Sequence, residues 1–220
     1  MAYLGLAGGW HPMGAHINIH GGARGPGIEG FRRGFARLSE STRSLLTVEN
    51  EETSYGLDDL LPLAEMLPLV LDLHHHWCFT RGEHIRPDDP RIATVRDSWR
   101  GTRPLGHLSA PREDLLPGGL DPDRLPDFQA LLAAGLPARE MRKHSDRLWN
   151  RAINEWALGH LAWTDLEVEA KAKNLASHDL AEAARACQGS GEAEGWRGAF
   201  RAGQDGGAAG AGCSGRVAAS

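Results

Sequence analysis

The amino-acid sequence predicts an α/β fold, a partial (β/α) barrel with about five parallel strands and helices on the outside. Short apolar runs alternate with amphipathic segments from residue 1 to about residue 188. This alternation is typical of a parallel sheet covered by helices. Right-handed crossovers place successive strands side by side, so the carboxyl ends of the strands are expected to meet at one edge. Sheets of this kind carry their functional residues at that edge.

Five short apolar runs predict the strands. The third run, PLVLDL, is almost continuously apolar, as expected of a strand that is buried on both faces. The fourth run is the weakest of the five. The predicted strands cover residues 14–20, 45–49, 68–73, 103–108 and 164–168.

The amphipathic segments between these runs predict helices. In the first segment, Ile28, Phe31 and Phe35 recur at the spacing of one helix face. Pro90 lies near the first turn of a later segment, where proline is favoured. Residues 110–125 are rich in Pro, Gly and Asp, which predicts a long loop. The predicted helices cover residues 28–38, 55–66, 89–99, 127–134, 139–158 and 169–186.

The last part of the chain differs in composition from the rest. After Cys187 the sequence is rich in Gly, Ala and Ser and has no hydrophobic periodicity, which predicts disorder. We therefore predict two parts, a partial barrel domain over residues 1–188 and a disordered tail over residues 189–220.

The composition restricts the class of protein. The formal net charge is −5, whereas a protein held mainly by phosphate contacts is expected to be basic. Three cysteines without the spacing of a disulfide framework or a zinc site indicate a reducing, cytoplasmic setting. The amino-terminal residues lack a signal-peptide pattern, and no apolar run is long enough to cross a membrane. No membrane partner is expected.

Each of the five predicted strands ends at a residue that can bind a metal ion. These residues are His20, Glu49, Asp72 followed by His74, His75 and His76, then His107 and Glu169. Imidazole with carboxylate and without thiolate suits Zn, Mn, Fe or Mg. Several carboxylates favour a cluster of two or three ions, which can activate water and bind a phosphodiester at both the attacking and the leaving oxygens.

Taken one at a time, these residues have ordinary explanations. A single histidine at a strand end, such as His20, is more often a hydrogen-bonded group than a ligand. Glu169 could be a helix N-terminal acid that the helix dipole favours. Glu49 is harder to explain in this way, because a buried carboxylate without a partner is costly. It is the convergence of five strand ends that favours a metal centre.

Six segments in order resemble the motifs of the UV damage endonuclease family. They are INIHGG (17–22), LTVENEE (46–52), PLVLDLHHH (68–76), GHLSAPR (106–112), KHSD (143–146) and LEVEAKAKN (166–174). That family is a TIM barrel related to the endonuclease IV type of apurinic nuclease. It nicks DNA on the 5′ side of photoproducts with a divalent metal cluster, typically manganese.

The resemblance implies a set of site residues. The implied metal ligands are His20, Glu49, Asp72, His75, His107, His144 and Glu169. Glu49 would bridge two ions, and Glu49 and Glu169 would be the catalytic residues. Asp72, His107 and Glu169 would complete one site, His20 would serve a second, and His75 with His144 would serve a third.

The resemblance also implies the cofactor and the partner. The cofactor would be Mn²⁺, with Zn²⁺ or Mg²⁺ as alternatives, and the partner would be damaged double-stranded DNA. Asn50, Ser109 and Arg112 would support the ligands or contact phosphate, and Lys171 could also meet a phosphate.

The chain departs from the family pattern in two respects. Leu105 stands where the family has a lysine that can carry a carboxylate modification, so the third metal site is expected to be weakened. The match also covers about five of the eight strands of a TIM barrel. We therefore expect a start further upstream, a degenerate fragment, or another chain that supplies strands.

Two other functions remain open at this point. A sugar isomerase or epimerase of the xylose-isomerase-like type also places Glu, Asp and His around divalent ions, and the acidic net charge mildly favours it. The second alternative is a truncated barrel that binds metal but has no activity.

Overall fold

The structure, a computed structural model, describes residues 16–22, 24–189 and 217–219. The strands are β1 (Ile17–His20), β2 (Leu46–Glu49), β3 (Leu69–Asp72), β4 (Leu105–Leu108), β5 (Asp165–Val168) and β6 (Val217–Ala219). The α-helices are α1 (Gly27–Ala36), α2 (Glu40–Arg43), α3 (Leu57–Leu60), α4 (Leu73–Thr80), α5 (Pro90–Ser98), α6 (Phe128–Ala133), α7 (Ala138–Met141), α8 (Arg151–His160) and α9 (Asn174–Gly189). A 3-10 helix, Leu61–Leu63, directly follows α3.

The strands form one parallel sheet in the order β1-β2-β3-β4-β5-β6, which confirms the predicted α/β class. The register aligns the strand ends. His20 is paired with Glu49 across β1 and β2, and Asp72 is paired with His107 across β3 and β4. The predicted convergence of strand ends is therefore present in the backbone pairing.

The close approach of β3 and β4 depends on Gly106. A Cβ added at this position would lie 3.1 Å from the carbonyl oxygen of Leu71 and 3.3 Å from Oγ1 of Thr164. A larger residue would require these neighbouring atoms to shift by a few tenths of an ångström. The glycine therefore helps to hold Asp72 beside His107.

The core lies between the sheet and the helices that return along it. Buried aliphatic residues of the strands pack against buried residues of α5 and α8, and this core includes Val48, Leu69, Leu71, Leu108, Leu166, Val168, Ile92, Val95, Ile153 and Ala157. The end of α5 also bonds to β3. Ser98 Oγ accepts from the Leu69 N–H at 2.9 Å, and Trp99 Nε1 donates to the Leu69 carbonyl at 2.8 Å. These contacts fix the strand that carries Asp72.

Helix α4 was not predicted, and it begins where β3 ends. Asp72 is its N-cap and accepts from the backbone N–H of His75 at 2.6 Å. Residues 73–78 are all buried. A helix that is buried on every side has no polar face, so its sequence lacks the amphipathic pattern by which a helix is recognised.

Other helix boundaries also differ from the predictions. The segment predicted as one helix over 139–158 forms α7 and α8, with a loop between them that ends at Asn150, the N-cap of α8. The last helix begins at Asn174 rather than at residue 169, after Lys173 with a left-handed φ of 53°. The short helix α2 was not predicted; Ser39 caps it by accepting from the Thr42 N–H.

Part of the predicted tail is structured. Strand β6 pairs with β5 in parallel, with Leu166 opposite Val217, and this differs from the disorder predicted for these three residues. The described residues exclude most of the tail with Cys213, the segment MAYLGLAGGW, and residues 14 and 15 of the first predicted strand. The division into two parts at residue 188 stays a prediction. None of the described helices is both long and apolar enough to span a membrane.

Candidate metal centre

Glu49 lies at the centre of the strand-end cluster. It ends β2 and is 2% exposed. Its Oε1 lies 3.0 Å from Nδ1 of His107 and 3.3 Å from Nδ1 of His75. Its Oε2 accepts from Nδ2 of Asn18 at 2.5 Å and lies 3.5 Å from Nε2 of His20. One buried carboxylate is thus surrounded by four nitrogen atoms from two other strands and a helix.

These contacts keep Glu49 ionised. Burial alone would raise its pKa, but hydrogen bonds from His107, His20 and His75 outweigh burial and hold the pKa well below its usual range. Burial would lower the pKa of His75, but Asp72 and Glu49 raise it to about 10. In the same way, Glu49 raises the pKa of His107 against the effect of burial, to about 9.

Divalent metal binding is therefore expected to release protons. His75 and His107 are protonated at neutral pH in the metal-free protein, whereas a metal ion binds only the unprotonated imidazole. The affinity for Mn²⁺ should rise between about pH 6 and about pH 8, roughly tenfold per pH unit for each proton released. Titration calorimetry in buffers with different ionisation enthalpies measures the number of protons released on Mn²⁺ binding, which we expect to be about two. An affinity that does not change with pH would contradict the assignment of these histidines as ligands.

Asp72 offers the clearest opening for a cation. Its side chain is fully buried. Oδ1 accepts from the His75 N–H, but Oδ2 has no hydrogen-bond partner among the described residues. The nearest cationic group is Nδ1 of His75, 3.7 Å from Oδ2. A buried carboxylate oxygen without a donor is costly, and a bound metal ion would remove that cost.

Glu169 completes the cluster just beyond the end of β5. Its Oε1 lies 3.3 Å from Nδ1 of His107 and its Oε2 lies 3.9 Å from Nδ1 of His144. Burial raises the pKa of Glu169, and repulsion from Asp72 adds to that effect. Three carboxylates, those of Glu49, Asp72 and Glu169, therefore share one partly closed space, and a divalent cation would relieve their repulsion.

The candidate ligand atoms fall into three overlapping groups. The atoms in each group lie within 4.8 Å of one another, and the groups are His20 with Glu49 and His75; His75 with His144 and Glu169; and Glu49 with Asp72, His75 and Glu169. His75 belongs to all three, although the resemblance placed it at the third site alone. His107 is outside these groups but contacts both Glu49 and Glu169. The structure thus brings together all seven predicted ligands.

The three residues of the expected third site lie close together although Leu105 stands where the family has a lysine. Leu105 begins β4, is half-buried, and offers no atom that could bind a metal. His75, His144 and Glu169 nevertheless provide three donor atoms close together. Whether they bind an ion is still a prediction.

Only one of the three consecutive histidines joins the cluster. Because residues 74–76 lie on a helix, their side chains point about 100° apart. His75 enters the cluster, whereas His76 Nε2 bonds Oε2 of Glu83 at 2.9 Å and the ring of His74 stacks on Trp77.

Asn50 holds the ends of β2 and β3 together. Its Nδ2 donates to the Asp72 carbonyl at 3.0 Å, and its Oδ1 accepts from the Asp72 N–H at 2.9 Å. The residue is fully buried. Of the two roles predicted for it, this geometry favours support of a ligand and disfavours contact with a phosphate.

Replacement of Asn50 by alanine is expected to destabilise the protein by roughly 1–3 kcal/mol for each of the two Asp72 backbone groups left buried and unpaired. Urea unfolding measures this loss. Asn154→Ala is a matched control, because Asn154 is also buried but makes one side-chain hydrogen bond, to the Leu148 carbonyl, and its Oδ1 has no partner. An equal loss of stability in both variants would show that the two hydrogen bonds from Asn50 to the Asp72 backbone are unimportant.

The other predicted substrate contacts lie around the cluster. Ser109 is buried, and its Oγ has no partner among the described residues. Arg112 is bound by Asp114, with Nε 2.8 Å from Oδ1, and Lys171 Nζ lies 2.9 Å from Oδ1 of Asp146. Exposed ion pairs of this kind contribute little stability, so a phosphate could replace either carboxylate.

Two residues near the cluster were not predicted. Asn18 precedes His20 by two positions on β1, so both side chains point to one face of the strand, and this spacing was a usable signal. Glu52 lies in the loop after β2, with Oε2 3.7 Å from Nε2 of His75. Nothing in its sequence position separates it from the neighbouring Glu51.

Comparisons with known proteins identify the family of the chain. The model of the family described as UV-endonuclease UvdE matches residues 1–190. A UV-damage endonuclease of Schizosaccharomyces pombe is 30% identical over 159 residues, 70% of this chain and 22% of that protein. A UV DNA damage endonuclease of Halalkalibacterium halodurans is 40% identical over 91 residues, 39% of this chain and 27% of that protein.

The fold comparison agrees with the family match. The crystal structure of SacUVDE matches with a TM-score of 0.53 at 20% identity, covering 79% of this chain and 51% of that one. This likeness supports the predicted (β/α) barrel type. The chain spans about a fifth to a quarter of the length of the two relatives named above. Since the family model covers most of the chain, the chain belongs to the UvdE family of UV-endonucleases.

Proposed function

We propose that the chain is a metal-dependent DNA repair endonuclease that cuts the phosphodiester on the 5′ side of a lesion in double-stranded DNA. The observation that carries this proposal is the buried, unpartnered Oδ2 of Asp72 beside the carboxylates of Glu49 and Glu169. The relatives named as UV-damage endonucleases support the class of substrate.

The donor set suits Mn²⁺, with Zn²⁺ or Mg²⁺ as alternatives, because it combines imidazole and carboxylate without thiolate. The residues that would hold the metal are His20, Glu49, Asp72, His75, His107, His144 and Glu169. Divalent ions bound there would lower the pKa of water and neutralise charge on the phosphodiester.

The two catalytic carboxylates would have different tasks. Glu49 is buried and surrounded by donors, so it stays ionised and holds its neighbours in place. Glu169 is 25% exposed at the rim of the cluster. Its access to solvent makes it the better placed of the two to accept the proton that the attacking water loses.

The rim of the cluster would receive the DNA. The side chain of His20 is 50% exposed and that of His144 is 25% exposed, so this side is open to solvent. The hydroxyl of Ser109 is buried, so Ser109 fits support of the ligands better than contact with a phosphate. Arg112 and Lys171 would bind phosphates further out, after exchange of their present carboxylate partners.

Nicking of supercoiled plasmid tests the activity. With Mn²⁺, the chain should nick UV-irradiated plasmid and leave unirradiated plasmid intact, and excess EDTA should stop the reaction. A labelled duplex with one photoproduct then maps the cut, which should lie on the 5′ side of the lesion. Stable uptake of Mn²⁺ without nicking would instead support a metal-binding barrel without activity, and turnover of an aldose would support the sugar isomerase alternative. A cytoplasmic location and a second chain that adds strands to the sheet both stay predictions.

A further inference from the structure

A cavity with an excess of positive charge lies beside the metal centre. Its volume is about 320 Å³, and the lining residues that matter here are Arg24, Arg81, Arg142, Glu52, Phe79 and Phe128. Three guanidinium groups therefore face one carboxylate in a chain whose formal net charge is −5. Such a local reversal of charge selects for anions.

The cavity lies at the carboxyl ends of the strands, as the metal centre does. Arg24 lies between β1 and α1, and Glu52 follows β2. Arg81 ends α4, which follows β3, and Arg142 ends α7, which comes after β4. Glu52 also joins the two features, since its Oε2 lies 3.7 Å from Nε2 of His75. An elongated ligand could therefore reach both.

Among the described residues, one carboxylate, that of Glu52, lines the cavity against three guanidinium groups. No carboxylate of the described residues lies within 4.0 Å of the Arg81 or Arg142 guanidinium. Arg24 donates from Nε to the Ser54 carbonyl at 2.9 Å, which orients it without cancelling its charge. By contrast, Arg103 is paired with Asp165 and Arg147 with Asp179.

The backbone at Arg81 adds an independent observation. Arg81 is the C-cap of α4 and adopts the left-handed conformation, with φ 60° and ψ 44°. Glycine is favoured at such a position because other residues are strained there. Arg100 and Lys173 share this conformation, but of the three basic residues Arg81 is the one that lines the cavity.

We infer that this cavity binds a phosphodiester of the DNA strand, separate from the phosphodiester held at the metal centre. The planar guanidinium fork matches phosphate oxygens in pairs. Phe79 and Phe128 provide apolar walls that restrict water around the contact. The inference rests on the proposed function, and it explains how an acidic chain can hold a polyanion.

The test is the salt dependence of DNA binding. Anisotropy of a fluorescein-labelled, undamaged duplex is measured with the Mn²⁺-loaded protein between about 50 and about 200 mM salt. Arg81→Gly removes one guanidinium and relieves the backbone strain, so the variant should fold at least as well as the parent. The slope of log K against log salt should become shallower by about 0.9.

Arg100→Gly is the matched control. Arg100 also has a left-handed φ, 51°, and carries the same charge, but it lies in the turn between α5 and β4, at the opposite end of the strands. The slope of log K against log salt for Arg100→Gly should equal that of the parent. Arg142→Gln changes a second residue of the cavity, and its slope should also be shallower than that of the parent by about 0.9. Circular dichroism verifies the fold of each variant.

The outcomes separate the two proposals. Equal slopes for the parent, Arg81→Gly and Arg142→Gln would overturn the phosphate cavity, even if the parent nicks irradiated plasmid. Shallower slopes in both variants would support phosphate binding in the cavity, even if the parent does not nick irradiated plasmid. In that case only the proposed function fails. Absence of any DNA binding by the parent would overturn the cavity as well.

Discussion

Replacement of Glu49 by glutamine is expected to reduce nicking of UV-irradiated plasmid by more than about 100-fold, since loss of a residue that merely supports a ligand already costs roughly 10- to 100-fold. Glutamine has nearly the same shape but carries no charge. Glu49 Oε1 faces His107 and His75, and its Oε2 faces His20. The neutral amide would weaken cation binding at the centre of the cluster, because Glu49 belongs to two of the three ligand groups.

The control for this variant is Glu155→Gln. Glu155 is exposed on α8 and makes no contact with the cluster, so the same chemical change should leave nicking unaltered. Initial rates on irradiated plasmid at saturating Mn²⁺ give the comparison. Retention of more than a tenth of the parent rate by Glu49→Gln would contradict the role of Glu49 as a bridging ligand.

Replacement of Asp72 by asparagine is expected to remove most of the stabilisation that Mn²⁺ gives the protein. A ligand at about 100 times its Kd stabilises a fold by about 2.7 kcal/mol, which thermal unfolding detects readily. Asparagine caps helices as well as aspartate does, so the bond to the His75 N–H can persist. The repulsion between Asp72 and the carboxylates of Glu49 and Glu169 disappears, and so does the attraction between Asp72 and protonated His75. These effects oppose each other, so the metal-free variant should have nearly the stability of the parent.

Asp127→Asn is the matched control for this substitution. Asp127 is the N-cap of α6 and accepts from the backbone N–H groups of Gln129 and Ala130, away from the cluster. Its unfolding temperature should rise with Mn²⁺ as much as that of the parent. An equal Mn²⁺ response in Asp72→Asn would mean that the unpartnered Oδ2 does not face a metal ion.

Much of the fold and the centre of the site could be predicted from sequence because they depend on short-range patterns. An apolar run followed by a polar residue marks the carboxyl end of a buried strand. In a parallel sheet, neighbouring strand ends must meet. His20, Glu49, Asp72 and His107 follow from these two facts, and the register pairs them as expected. His144 could be identified only by resemblance, since it lies in a loop between α7 and α8.

The remaining features depend on contacts between distant segments. Helix α4 lacks a polar face, so the histidine that enters the cluster could not be chosen by periodicity among residues 74–76. The lining of the phosphate cavity comes from five separate loops and helices, and Arg24 and Arg142 are far apart in sequence. Asn50 could not be assigned to support rather than substrate contact until its two bonds to the Asp72 backbone were known.

Anomalous scattering from crystals soaked in Mn²⁺ tests the central claim most directly. Data collected near the manganese absorption edge locate bound ions without assumptions about activity. We expect a strong peak within coordination distance of Oδ2 of Asp72 and of the Glu49 and Glu169 carboxylates, and its loss in Asp72→Asn. Full occupancy elsewhere on the protein, with no peak among these three carboxylates, would contradict the assignment of the strand-end cluster as a metal centre.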